Sequence, residues 1–300
     1  MSEPGLTVPE LRVLVAVEEE GGFTAAAARL GLTQSAVSHA VRSGERKLGA
    51  VLFDRGRHGA RPTPAGTRAA GHARRVLRLL ETMAAEVRGA GRTAETVDGP
   101  VRIAAFRSAA AHLLPAVLAR LTARHPGIAP EVRIVRELGR GTAGEVADGR
   151  ADLGIATLGG TDPLPRGLLS ATVVTEPYFL VHPVGHPAPR TLPLIDWMEN
   201  CGSYTRAWWA GQDWIPPVTV DAEDDSVVLS MVAQGMGMAI MPALALMSAP
   251  RSVTITDLGE GRPTRGVGYV TTPEMVRVGA VRELIRELRG VELGEVPVGV

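Results

Sequence analysis

Residues 23–49, FTAAAARLGLTQSAVSHAVRSGERKLG, constrain this chain more than any other stretch, because their spacing suits two helices joined by a tight turn. Thr24 is placed to cap a first helix that ends at Leu30. Gly31 supplies the left-handed residue that stops it, and Thr33 is placed to cap a second helix running to Leu48. On that second helix Val37, Val41, Gly44 and Leu48 recur at i, i+4, i+7 and i+11, so they share one face that packs on the domain. The opposite face carries Gln34, Ser35, Ser38, His39 and Arg42, donors and acceptors that meet base edges when a helix enters the major groove.

The chain has 300 residues, more than one globular domain usually holds, so two or three packed units are expected. Its single cysteine, Cys201, excludes an intramolecular disulfide framework. The start MSEPGLTVPE has neither the basic segment nor the apolar run of a signal peptide, and no lipidation signal follows; the expectation is a cytoplasmic protein. Residues 226–250 contain no charge, but Gln234, Gly235, Gly237 and Pro242 interrupt them. They read as a buried helix (226–235), a strand (236–242) and a short apolar segment rather than a membrane span.

Net charge is zero, yet it is unevenly divided: residues 1–92 hold 14 basic and 9 acidic side chains, residues 93–300 hold 18 and 23. Between Gln34 and Leu80 ten cations (Arg42, Arg46, Lys47, Arg55, Arg57, Arg61, Arg68, Arg74, Arg75, Arg78) face only Glu45 and Asp54, a surplus that suits a phosphate backbone. Lys47 is the only lysine, so the choice of arginine is a compositional bias, but the scarcity of acids here is not.

Thr7 and Glu10 form a capping box ahead of Leu11, Leu14 and Val15, which predicts a first helix packed beneath the reading helix. The Gly- and Arg-rich run after Gly49 reads as a wing. Thr63-Pro64 then opens a helix to about Arg88, with Val76, Leu80, Met83 and Val87 forming an apolar stripe that wants a partner helix. Residues 89–100 are small and polar, a linker. Beyond it, strands at 101–105, 130–136 and 152–156 alternate with helices at 108–124 and 142–148, giving a mainly parallel sheet covered by helices. Residues from about 171 to 267 repeat the pattern, and 268–271 with the helix 276–289 return to the first sheet.

The whole chain resembles the LysR-type transcriptional regulators. The likeness rests on residues 23–49 with Leu52-Phe53-Asp54-Arg55 and Thr63-Pro64-Ala65-Gly66, on GPVRIAAFRSAAAHLLP (99–115), on GRADLGIA (149–156) and on VLSMVAQGMGMAIMP (228–242). It implies an α/β protein with an N-terminal winged helix-turn-helix (1–63), a long linker helix that dimerises (64–90) and a hinge linker (91–99). The remainder, 100–300, would be a two-lobed, periplasmic-binding-protein-like effector domain, with lobe 1 about 100–170 and 269–300 and lobe 2 about 171–268. It also implies a dimer of dimers on double-stranded DNA bearing an interrupted inverted repeat, a small-molecule effector, and an output through DNA bending or RNA polymerase contact. In Gly44 the chain departs from the family, which usually has leucine there. A helix-interior glycine costs roughly 1 kcal/mol against alanine, so Gly44→Ala or Gly44→Leu is expected to raise the melting temperature.

For DNA, the expected readers are Thr33, Gln34, Ser35, Ser38, His39 and Arg42, with Arg55, Arg57 and Arg61 on phosphates or in the minor groove; His39 serves equally well as a phosphate contact. For the effector, loops at the C-terminal ends of strands offer Arg107, Ser108 and Ala109, then Arg140 and Thr142. Across the cleft stand Ser203, Tyr204, Thr205 and Arg206, with Asp225 and Ser226 before the late helix. Ser108 matches the family's recurrent Ser/Thr ligand position, and Arg107 with Arg206 points to an anionic effector. Trp197, Trp208, Trp209 and Trp214 suit a core or an interface better than a ligand wall. Two readings compete: a constitutive DNA-binding regulator, and a DNA-tethered enzyme. The second lacks support, because there is no GxSxG elbow, P-loop, CxxC pair or HExxH site, and no cofactor or metal is expected.

Overall fold

The computed structural model describes residues 5–56, 59–89, 97–160, 163–200 and 202–294. Helix α1 (Val8–Glu20) begins at the expected capping box: Thr7 N donates to Glu10 Oε2 at 2.7 Å, and Glu10 N donates back to Thr7 Oγ1 at 3.4 Å. Helix α2 (Phe23–Leu30) starts two residues earlier than expected, on Gly22 in an extended conformation. Thr24 therefore sits inside the first turn and caps nothing, while Gly31 (φ +65°) ends the helix as expected. Helix α3 (Gln34–Leu48) is capped by Thr33, whose hydroxyl accepts from Ala36 N at 3.2 Å. Strands β1 (Phe53–Gly56) and β2 (Gly59–Pro62) pair antiparallel as the wing, and α4 (Pro64–Gly89) follows as one rod of 26 residues. Val13, Leu14, Val17, Ala26, Val37, Val41, Leu52 and Phe53 form the core beneath the wing.

The C-terminal region opens with β3 (Asp98–Ala105). The helix expected over 108–124 is two, α5 (Arg107–His112) and α6 (Leu114–Arg124). The chain kinks at Leu113, and Pro115, lacking an N–H, is tolerated only in the first turn of the new helix. Then come β4 (Gly127–Ile134), α7 (Gly141–Ala147) and β5 (Leu153–Leu158), and a strand of 15 residues, β6 (Leu169–Pro183). Next are β7 (Leu194–Trp197), α8 (Gly202–Trp209), β8 (Val218–Ala222) and α9 (Asp225–Ala233). The chain continues through β9 (Ala239–Pro242), α10 (Ala243–Leu246), β10 (Val253–Asp257), β11 (Thr264–Thr271) and α11 (Gly279–Arg289). A 3-10 turn at Met275–Arg277 precedes α11, where the sequence suggested its first turn.

Strands β4, β3 and β5 are parallel, while β11 and β6 join antiparallel, so the first sheet is mixed rather than mainly parallel. Strand β6 carries the chain from one lobe to the other without a break. Residues 169–177 pair with β11, whereas 178–183 pair with β9 and β10. The second lobe's sheet thus begins near Tyr178, inside the boundary of 171 suggested by the sequence, and β11 from Thr264 already belongs to the first. Each lobe has its own core, around Ile103, Leu121 and Leu284 in lobe 1 and around Val181, Val228 and Met241 in lobe 2.

Lobe 1 lies against α4 and α1. Arg78 Nε and Nη2 each donate at 2.8 Å to the two carboxylate oxygens of Asp152, whose Oδ2 also accepts from Arg102 N at 2.8 Å. Arg74 pairs with Glu18 and Glu19. The junction borders a cavity of about 650 Å³ whose walls come from α1, α2, α4 and lobe 1. No helix among the described residues is long and apolar enough to cross a membrane.

Candidate DNA-reading surface and effector cleft

Helix α3 sorts its residues by angle. Val37, Val41 and Gly44 are buried, and Thr33, Gln34, Ser35, His39 and Arg42 are exposed. Two positions differ from the sequence reading. Ser38 is only 8% exposed, because it lies 100° from Val37 at the rim of the buried face. Leu48 is exposed, since the last turn runs past the domain core.

The cation surplus is smaller than the sequence suggests. Lys47 Nζ donates to both carboxylate oxygens of Glu10 at 2.8 Å, tying α3 to α1, and Arg74 and Arg78 are buried in ion pairs. Burial alone would raise the Glu10 pKa, but the Lys47 ammonium and the Thr7 backbone N–H overcome it and bring it to about 2. Arg42, Arg46, Arg61 and Arg68 remain exposed around α3, the wing and the start of α4. Arg57 and the Arg55 side chain lie outside the described residues. Along α4, Val76, Leu79, Leu80, Met83 and Val87 are all exposed, an apolar stripe uncovered in the single chain.

In the cleft, Arg107 opens α5 and reaches across to Asp225 and Asp224, the latter at 3.2 Å. Ser108 and Ala109 behind it are buried. Asp224 caps α9, its Oδ1 accepting from Ser226 N at 2.8 Å, Val227 N at 3.0 Å and the Ser226 hydroxyl at 2.6 Å. Burial opposes its charge, but these donors and Arg107 hold its pKa below the usual value. A second bridge joins Arg136 Nε to Glu199 at 2.5 Å and Arg136 Nη2 to Glu223 O at 2.9 Å.

Thr142 is buried on Glu137: its N donates to Oε2 at 3.0 Å and its hydroxyl to Oε1 at 3.3 Å, while Thr157 N reaches Oε1 at 3.1 Å. Burial outweighs these donors and pushes the Glu137 pKa up. Arg140, a cleft candidate from the sequence, is bound to Asp148 at 3.0 Å, and Arg206, expected to hold an anion, is paired with Asp196 with its guanidinium 4.4 Å above Trp209. Thr205 is fully buried, and the Ser203 and Tyr204 side chains lie outside the described residues. Trp197 and Trp209 are buried in the lobe 2 cores, and Trp208 packs edge-on against Trp214 at 6.3 Å.

The structure thus brings Arg107, Ser108, Asp225 and Ser226 together and leaves Arg140 and Arg206 to other partners. The sequence reading missed Asp224, Arg136, Glu199 and Glu137. Asp224 was legible as a cap two residues before Ser226, but nothing local marks the other three. Among the described residues no group of His, Cys, Asp and Glu is arranged to hold a metal.

Comparison with known proteins places these features. Residues 9–67 match the family described as bacterial regulatory helix-turn-helix protein, lysR family, and residues 94–292 match the LysR substrate binding domain. A probable HTH-type transcriptional regulator, LrrA of Synechococcus elongatus, is 36% identical over 266 residues, covering 84% of this chain and 86% of that protein. Full-length CbnR complexed with its target DNA superposes with a TM-score of 0.64 at 19% identity, over 94% of this chain and 99% of that one. A full-length OxyR from Pseudomonas aeruginosa gives 0.69 at 21%, over 96% and 99%. These two likenesses concern the fold.

Proposed function

The chain belongs to the LysR family of transcriptional regulators, and from that premise we propose how its own residues divide the work. Gln34, Ser35, His39 and Arg42 enter the major groove, and Arg61 with Arg55 and Arg57 of the wing holds the flanking backbone. The observation that carries this reading is the sorting of α3: its buried positions are apolar or small, and its exposed ones are polar or basic apart from Ala36 and Leu48. The uncovered stripe of α4 pairs with the same stripe of a second copy, and dimers assemble in twos on an interrupted inverted repeat. The protein acts in the cytoplasm, turns over no substrate, and passes its signal on through DNA bending or RNA polymerase contact.

The effector domain binds a small molecule between its lobes, with a carboxylate on Arg107 and Ser108. Such a ligand acts only by binding one arrangement of the assembly more tightly than another. Quantitative operator binding tests the DNA half. Arg42→Ala is expected to lose about 1–3 kcal/mol and relax one operator position if Arg42 reads a guanine. Equal weakening on every operator variant would make it a phosphate contact.

A further inference from the structure

The lobes meet across the cleft through unlike charges. Arg107 of lobe 1 stands against two carboxylates of lobe 2, Asp224 and Asp225. The Arg107 and Asp224 side chains are each 36% exposed, while Asp225 is 12% exposed and the Arg107 Nη2 that faces both aspartates is buried between the lobes. Any ligand that enters here must part the cation from the anions, and its own charge decides what that costs. A simple carboxylate satisfies Arg107 but strands both aspartates and adds a third negative charge to a closing cleft. A simple amine satisfies the aspartates but sets a second cation beside an unpaired Arg107. Leaving a charge desolvated and unpaired is the more expensive outcome in either case. A ligand with a carboxylate and an ammonium on the same carbon replaces both halves of the bridge at once.

We propose that the cleft takes a zwitterionic α-amino acid, its carboxylate on Arg107 and its ammonium between Asp224 and Asp225. This rests on the effector-binding reading above and narrows its ligand class. Asp224 is already fixed by the Ser226 and Val227 donors at the start of α9, so one anion of the ammonium site is preorganised. The proposal also revises the expectation of a purely anionic effector. That expectation drew on Arg107 and Arg206 as free cations, and both are paired with carboxylates.

The experiment is a thermal-shift series on the full chain with each of the twenty common L-amino acids at millimolar concentration. For any that shifts the melting temperature saturably, titration calorimetry follows with its 2-oxo acid, which lacks the ammonium, and with its decarboxylated amine. The expected result is at least about tenfold weaker binding of both stripped compounds, since a site built around a polar group rejects the analogue lacking it. Asp225→Asn should weaken the amino acid and leave the 2-oxo acid unchanged or tighter. Arg107→Gln should do the reverse to the amine, with far-UV circular dichroism checking that both variants fold. Equal binding of the amino acid and its 2-oxo acid would overturn the zwitterion and leave the effector reading standing. The absence of any shift with all twenty, or a shift untouched in both variants, would overturn the proposal as well. A carboxylate panel tested alongside, read by operator footprint, separates that failure from failure of the effector reading itself.

Discussion

Two joints in this molecule use the same chemistry in different solvents. Where α4 meets lobe 1, Arg78 and Asp152 are 5% and 4% exposed and share a bidentate bridge. Where lobe 1 meets lobe 2, Arg107 and Asp224 are each 36% exposed and Asp225 12%, and a single arginine nitrogen faces both carboxylates. Removing one partner of a buried pair strands a charge away from water and costs about 3–5 kcal/mol, whereas an exposed pair contributes about 0–1 kcal/mol. The first joint is therefore expected to be the stronger of the two. Lobe 1 is thus clamped to the linker helix by the first joint.

Breaking the clamp should have the largest effect. Arg78→Met leaves Asp152 buried with only backbone donors and is expected to cost about 3–5 kcal/mol in denaturant unfolding. Arg78→Met combined with Asp152→Leu should recover much of that loss, because no charge is then stranded. A double-mutant cycle that shows no coupling would end the distinction between the joints.

Acid probes the helix-turn-helix in the same terms. Glu10 has its pKa lowered from 4.5 to about 2, so it binds its proton more weakly folded than unfolded. Its contribution is complete above about pH 4.5 and is lost as pH falls toward 2, amounting to at most about 3 kcal/mol. Melting curves between pH 5 and pH 2 should be flatter for Glu10→Gln than for the unchanged protein.

These joints also show where sequence reading reaches its limit. Thr33, Gly31 and the Thr7–Glu10 box act within a few residues, and each was legible because capping is local. Thr63 was legible for the same reason, its hydroxyl accepting from Gly66 N at 3.0 Å. Arg74 and Arg78 read as phosphate ligands because their partners stand 55 and 74 residues away in sequence, and no pattern in α4 announces them. The passage between lobes inside β6 was illegible because a strand changes partners without changing its own period. Glu137 is defined by Thr142, five residues on, and by Thr157, twenty residues on, and the second contact is made by tertiary folding alone.

Gly71 and Gly149 fit the first joint together by geometry instead of charge. A Cβ on Gly71 would lie 3.4 Å from Asp148 backbone atoms, and one on Gly149 would lie 3.0 Å from Gly71 O. Gly71→Leu should wedge lobe 1 from α4, costing about 1–3 kcal/mol. It should leave ligand binding in the cleft intact while uncoupling it from the operator footprint.

Gly44 is gentler. A Cβ there would meet Leu6 and Leu14 methyl carbons at 3.7–3.9 Å, ordinary contact, so these side chains already fill the space of the missing leucine. Gly44→Ala should stabilise by up to about 1 kcal/mol through helix propensity. Gly44→Leu should lower the melting temperature, opposite to the expectation from sequence, because the volume is occupied.

The smallest stability effect should come from the cleft. Arg107→Met removes the cation, but Asp224 and Asp225 stay at the start of α9, where backbone N–H groups and the positive end of the helix dipole compensate them. The expected loss in denaturant unfolding is below about 1 kcal/mol, several times less than for Arg78→Met. If Arg107→Met proved as damaging as Arg78→Met, the cleft bridge would be a structural clamp too, and lobe closure could not be governed by a ligand that replaces it.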